Sequence, residues 1–240
     1  VLNCDEVVFL LDVDNTLFDN DRFKSDLAAR LLQDFGPKDS EAYWAHYDAL
    51  RNEVGYVDYL AALQRLRADI DETPKLLGMS SFILDYAFPG NLYSDALASI
   101  AHLRGLGTPV IFSDGDIVFQ PRKIQRSGIW DAVAGRVIVA VHKQAALSAM
   151  QHRFPARHYV MVDDKPQILA AMKAVLGDRL TTVFVKQGHY AMESVMATIS
   201  PAPDRTIDRI GELRSLDLQW LFSDAPAHIT ASAAEATTRA

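Results

Sequence analysis

Val7-Val8-Phe9-Leu10-Leu11-Asp12-Val13-Asp14-Asn15-Thr16-Leu17 is the stretch on which the fold turns. Five consecutive apolar residues run directly into two aspartates separated by one residue. A short unbroken apolar run suits a strand buried on both faces, as in a parallel sheet. Ligands bind beyond the carboxyl ends of the strands in such sheets, so Asp12 and Asp14 stand where chemistry is done. Their spacing puts both side chains on one face if the strand stays regular, and a turn there can aim both inward. Alone, the pair is only moderately specific, because aspartates also end strands as turn formers and helix caps.

Working outward, four more apolar or β-branched runs follow at residues 109–112, 136–141, 159–162 and 181–186. Helical patterns lie at 95–106, 118–126, 144–153 and 166–176, punctuated by Gly105-Leu106-Gly107, Ser127-Gly128 and Gly177-Asp178. Helices between buried strands predict an α/β fold, a doubly wound, mainly parallel sheet with a Rossmann-like core. The first gap is different. It holds no convincing strand between residues 17 and 88, and it is several times longer than the roughly one dozen residues a crossover needs. It reads as four helices, 22–35, 41–54, 56–67 and 74–88, with breaks at Gly36-Pro37, at Gly55 and around residues 69–73. Residues 20–88 are therefore expected to form an inserted helical cap, and 1–19 with 89–222 the core, Pro89-Gly90 marking the return. Residues 223–240, rich in Ala, Thr and Ser, read as a disordered tail. Tyr43, Tyr47, Tyr56, Tyr59 and Tyr86 all fall in the insertion, where bundle packing explains them better than an aromatic substrate cage.

The 240 residues suit one large domain or a core with a modest insertion. Mean hydropathy is close to zero, as in soluble globular chains. No apolar run is long enough to span a bilayer, and no signal-peptide pattern precedes the first strand. The single cysteine, Cys4, cannot make an internal disulfide, which fits a reducing, cytoplasmic setting. A net charge of −7 argues against nucleic acid and anionic membrane as partners. It does not forbid an anionic substrate, because a bound cation and a few basic groups can outweigh the global field.

The other strand ends carry polar chemistry too. The second runs into Ser113-Asp114-Gly115, the third into His142-Lys143 and the fourth into Asp163-Asp164. One sheet edge thus gathers acids, a hydroxyl and an ammonium group. Clustered carboxylates repel one another without a cation, and an all-oxygen set suits Mg²⁺.

In order and spacing, Asp12 to Thr16, Ser113, Lys143 and the pair Asp163-Asp164 resemble the four motifs of the haloacid dehalogenase-like hydrolase superfamily, over about residues 7–186, with the helical insertion where that family places its first type of cap. The resemblance implies that Asp12 attacks phosphorus and forms an aspartyl-phosphate. It implies that Asp14 protonates the leaving oxygen and then activates water. Asp12, the backbone carbonyl of Asp14 and one acid of the pair would hold Mg²⁺, with Asp164 the direct ligand and Asp163 acting through water. Ser113 would bond a phosphoryl oxygen and Lys143 would stabilise the anions. Asp114, Gly115 and Thr16 border the substrate in this reading; Asn15 and Thr16 shape the turn, and their backbone amides are offered to phosphate. Two departures stand out. Asp114 follows Ser113 where the family usually has a neutral residue, which leaves it a role in orienting substrate or Lys143. Ile168 stands where the family often has another aspartate, leaving Asp163 to supply that charge.

Bland readings go to the rest. Lys123 joins Arg122 and Arg126 on a solvated helix face, His142 is structural, and His189 and Tyr190 sit in a loop. The expected function is Mg²⁺-dependent hydrolysis of a small phosphorylated metabolite. A phosphotransferase or mutase differs only in the acceptor, which the cap would control. A haloacid dehalogenase would need neither metal nor Asp14. A phosphonate-cleaving enzyme would need a Schiff-base lysine in the cap, and nothing marks Lys24, Lys38 or Lys75 for that. A binding protein without turnover would not need the intact set.

Overall fold

A computed structural model of the chain describes residues 6–189, 199–215 and 217–222. Cys4, Tyr190 and the tail 223–240 lie outside the described residues. Six strands form one parallel sheet in the order β3-β2-β1-β4-β5-β6: β1 Val7–Leu11, β2 Thr108–Asp114, β3 Val137–Ala140, β4 His158–Asp163, β5 Leu180–Val185 and β6 Arg205–Ile207. The five predicted strands are present within about two residues of their expected ends. The sixth was missed, because three residues that include Arg205 and Thr206 carry no apolar signal of their own.

Strand β1 shows why the sheet is central. Val7, Phe9 and Leu11 point into one apolar cluster, Val8 and Leu10 into another, and all five are buried. Strand β4 repeats this, with Val160 and Val162 on one side and Tyr159 and Met161 on the other. Both faces are covered by helices: α4 Ala96–Leu103, α5 Phe119–Arg126, α6 Ile129–Ala132, α7 Leu147–Arg153 and α8 Pro166–Leu176. Pro166 opens α8 at a position where its missing N–H costs nothing. Among the described residues no helix is long and apolar enough to cross a membrane.

Between β1 and β2 the chain is helical: α1 Asn20–Val54, α2 Tyr59–Asp69 and α3 Thr73–Leu84. The break expected at Gly36-Pro37 is a kink in α1, where Gly36 leaves helical geometry at φ 79° and ψ 176°. Gly55 then ends the helix in the left-handed region at φ 81°, its N–H donating to Arg51 O. The last helix stops at Leu84, earlier than predicted, and Phe88–Asn91 forms a single 3₁₀ turn.

Aromatic rings join this helical segment to the sheet helices. Phe23 of α1 lies 5.1 Å from Phe119 of α5 and 5.1 Å from Tyr59 of α2, centroid to centroid. Tyr43, Tyr47 and Tyr59 are buried, and the Tyr43 hydroxyl donates to Tyr59 O at 3.0 Å.

Gly107 marks the tightest approach of the α4–β2 connection to the sheet. A Cβ there would stand 2.6 Å from Val7 O and 2.8 Å from the Phe9 ring. Because β1 is central and cannot give way, we expect Gly107→Ala to destabilise by about 1–3 kcal/mol. Urea unfolding should show a lower midpoint with an unchanged slope, and an unshifted midpoint would contradict this packing.

Candidate active site

The site lies at the carboxyl edge of the four adjacent strands β3, β2, β1 and β4. Asp12 N donates to Val162 O at 3.0 Å, carrying the β1–β4 pairing one residue past the strand. The chain then turns sharply, with Leu17 N and Phe18 N both donating to Val13 O at 2.9 Å. Asn15 sits in the left-handed region at φ 57°, which a short amide side chain tolerates better than most. Its Oδ1 accepts from Asn20 N and Asp21 N at 3.1 and 3.3 Å, starting α1.

This turn corrects two expectations. The Asn15 and Thr16 amides are not offered to phosphate, since they donate to Phe18 O and Val13 O at 2.7 and 3.3 Å. Thr16 is buried behind the turn, its carbonyl accepting from Gln187 Nε2 at 3.2 Å, and it does not line the cleft. Gly115 does reach the cleft wall, but its N–H donates to Ala140 O at 3.0 Å. Its contribution is a missing side chain, because a Cβ there would lie 2.9 Å from the Gln120 Cβ.

The other predicted residues converge. Lys143 Nζ donates to Asp12 Oδ1 and to Asp163 Oδ2, both at 2.6 Å, and Ser113 Oγ donates to Asp12 Oδ1 at 3.3 Å. All four side chains are buried. Burial opposes the charge on Lys143, but Asp12, Asp163 and Asp114 outweigh it and hold the ammonium above the usual lysine range. Asp114, the departure from the family pattern, accepts from Lys143 N at 2.7 Å. It orients the loop that carries Lys143.

Asp12, Asp163 and Asp164 each offer a carboxylate oxygen within 4.8 Å of the others. Asp163 is already engaged, through Lys143 on Oδ2 and Lys165 N on Oδ1 at 2.9 Å. Both oxygens of Asp164 are buried and accept no hydrogen bond among the described residues. Such groups are costly unless something satisfies them. Burial, then Asp163 and Asp12, push the Asp164 carboxyl up to about 9. The donor set therefore fits a hard divalent cation such as Mg²⁺, with Asp164 and Asp12 as the carboxylates facing it.

The sequence reading missed a second set of residues. Lys123 is not on a solvated face. It is 1% exposed, its ammonium pairs with Asp14 Oδ1, and the rings of Phe18 and Phe119 each lie 5.2 Å away. Gln120 Nε2 reaches Asp14 Oδ2 at 3.3 Å and Ser113 Oγ at 2.9 Å. The signal was in the spacing. Phe119 and Lys123 are four residues apart and Gln120 and Lys123 three, so they share a helix face. Arg122 and Arg126 occupy another face and both bind Asp85 Oδ1, at 2.6 and 3.0 Å. Lys165, at the start of α8, lines the cleft. Burial opposes its charge, but Asp12, Asp164 and Asp163 hold it raised.

Over these residues is a cleft of about 130 Å³. Asp14, Asp114 and Gln120 form its wall on the sheet side, and Lys24, Arg51 and Tyr56 on the helical side. Lys24, which the sequence gave no role, is thus a cleft residue. His142 is exposed and packs near Gly55, where an added Cβ would stand 2.5 Å from its ring. His189 Nδ1 pairs with Asp21 Oδ1 at 2.5 Å at the cleft edge.

Comparison with solved structures places this geometry among known folds. A protein of Burkholderia xenovorans LB400 assigned to the haloacid dehalogenase-like hydrolases shares 50% identity over 91% of this chain and 100% of its own, with a TM-score of 0.84. YfnB of Bacillus subtilis, a hydrolase of the same type whose structure is bound to magnesium, matches at 17% identity over 88% and 98% of the two chains, with a TM-score of 0.58. The L-2-haloacid dehalogenase of Xanthobacter autotrophicus matches at 19% identity over 88% and 97%, with a TM-score of 0.53. The last two show likeness of fold alone. No protein-family model matches the chain, and no curated protein does.

The raised Asp164 carboxyl gives cation binding a definite pH dependence. A cation must displace its proton, so affinity for Mg²⁺ should rise with pH and level off near pH 9, by up to about tenfold per unit below that. Calorimetry at pH 7 in buffers of different ionisation enthalpy should show about one proton released per cation bound. A pH-independent affinity would remove Asp164 from the cation site.

Proposed function

We propose that this chain, which belongs to the haloacid dehalogenase-like hydrolase superfamily, hydrolyses small-molecule phosphate monoesters with Mg²⁺ through an aspartyl-phosphate on Asp12. The observation that carries this reading is the buried Asp164 carboxyl, which accepts no hydrogen bond among the described residues and lies a few ångströms from a carboxylate already held by an ammonium group. Dehalogenation would need neither a metal nor an acid at Asp14, which Lys123 and Gln120 hold at the cleft wall. Asp12, Asp164 and the backbone carbonyl of Asp14 would hold Mg²⁺. When bound, the ion neutralises the carboxylates and the phosphoryl oxygens, so that anion can approach anion.

The chain's own residues account for the rest. Asp12 Oδ attacks phosphorus while the bond to the ester oxygen breaks, and protonated Asp14 gives that oxygen its proton. The Asp14 carboxylate then takes a proton from water, whose oxygen attacks phosphorus and releases Asp12 and inorganic phosphate. Lys143 and Ser113 fix the attacking carboxylate. Lys143 remains charged throughout, because the acids around it hold its proton. Lys123 and Gln120 hold the Asp14 carboxylate at the cleft wall. The helical segment would control which hydroxyl, water or another, meets the intermediate, and this separates hydrolysis from transfer.

Phosphate release from p-nitrophenyl phosphate with Mg²⁺, abolished by chelator, is the first expected result. Asp12→Asn should lower kcat by about three orders of magnitude or more, as loss of a covalent nucleophile does. Asp14→Asn should accumulate a hydroxylamine-sensitive acyl-phosphate, and rapid steady turnover by that variant would refute its role. Lys123→Met should lower kcat about 10- to 100-fold with little change in KM, the size expected for a misplaced general acid. Chloride release from 2-chloropropionate in chelator would favour dehalogenation instead.

A further inference from the structure

The cleft is divided by charge. Its sheet side carries Asp14, Asp114 and Asp116, each already in use: Asp14 pairs with Lys123, Asp114 accepts from Lys143 N, and Asp116 Oδ1 accepts from Val118 N and Phe119 N at 2.8 and 2.7 Å. Its helical side carries Lys24 and Arg51, which lie on opposite sides of the α1 kink. Lys24 is half-buried and makes no salt bridge among the described residues. Its ammonium instead lies 5.3 Å from the Tyr47 ring centroid and 5.8 Å from that of Trp44. Burial, then Arg51, lower its pKa, while Asp21 and Asp48 raise it only in part. Two cations brought near each other, one of them partly desolvated, stabilise an anion between them more than they stabilise the empty cleft.

We propose that Lys24 and Arg51 form a recognition site for a carboxylate on the substrate, so that the preferred phosphate monoesters are short-chain phosphorylated carboxylic acids. This rests on the hydrolase reading above. The planar guanidinium of Arg51 matches a carboxylate through two parallel hydrogen bonds. Lys24 and Arg51 line the same cleft as Asp14, so one short molecule can carry its phosphate to the acid and its carboxylate to the two cations. Tyr56 and Tyr59 also line the cleft.

Matched pairs test this. With Mg²⁺, kcat/KM for phosphoglycolate should exceed that for 2-hydroxyethyl phosphate by about tenfold or more, and likewise for 3-phosphoglycerate over glycerol 3-phosphate, the discrimination expected when a charged site meets a neutral analogue. In Lys24→Met and Arg51→Met each ratio should fall toward one. Lys24→Glu should reverse the order and favour phosphoethanolamine over phosphoglycolate. Calorimetry on Mg²⁺-loaded Asp12→Asn should show phosphoglycolate binding more tightly than 2-hydroxyethyl phosphate, a result that does not depend on turnover. Hydrolysis of p-nitrophenyl phosphate with equal rates and equal binding within each pair would overturn the carboxylate site and leave the hydrolase reading intact. Preferential binding of phosphoglycolate by a protein that hydrolyses none of these esters would overturn the hydrolase reading and leave the site.

Discussion

Asp12, Asp163 and Asp164 are held out of water at one point of the sheet edge, and most of the surrounding structure answers the cost of that. Like charges at such distances in a buried setting repel strongly. The protein supplies two ammonium groups: Lys143, shared between Asp12 and Asp163, and Lys165, whose charge the three acids hold. Among the described residues nothing donates a hydrogen bond to Asp164. The parallel sheet makes this concentration possible, because it brings the carboxyl ends of β1, β2, β3 and β4 to one edge whatever their separation in the chain.

Around that centre the residues sort by the group they restrain. Asp114 holds the Lys143 loop, Gln120 bridges Ser113 and Asp14, and Asn15 fixes the turn that presents Asp14. Gly115 makes the Gln120 contact possible by having no side chain. The hydrogen-bonding capacity of this shell is largely spent internally. Asp12 and Asp164 on the sheet side and the basic wall contributed by α1 face the cleft region where a ligand would bind.

Much of this was legible in the sequence. Five of the six strands, the long helical insertion and its kink at Gly36 followed from apolar runs and breakers, which report burial directly. The convergence of Asp12, Ser113, Lys143 and Asp164 followed from topology, since every strand of a parallel sheet ends on the same side. What sequence did not reveal depended on direction. Lys123 looks like its neighbours Arg122 and Arg126 until the helix is given a rotation about its axis, and only Phe119 fixes that rotation. Thr16 and the amides beside it looked available because sequence does not show which backbone groups a tight turn consumes. Strand β6 is held by its place next to β5 more than by any local preference.

Helix α5 belongs to two assemblies at once. Its inner face grips Asp14 through Lys123 and Gln120, while Arg122 and Arg126 clasp Asp85 just past the end of α3. Both grips fall within the same two or so turns of rigid backbone. The roof over the cleft and the bracket of the acid are therefore mechanically one part. A displacement of α5 would therefore move the acid's bracket and the tie to α3 together.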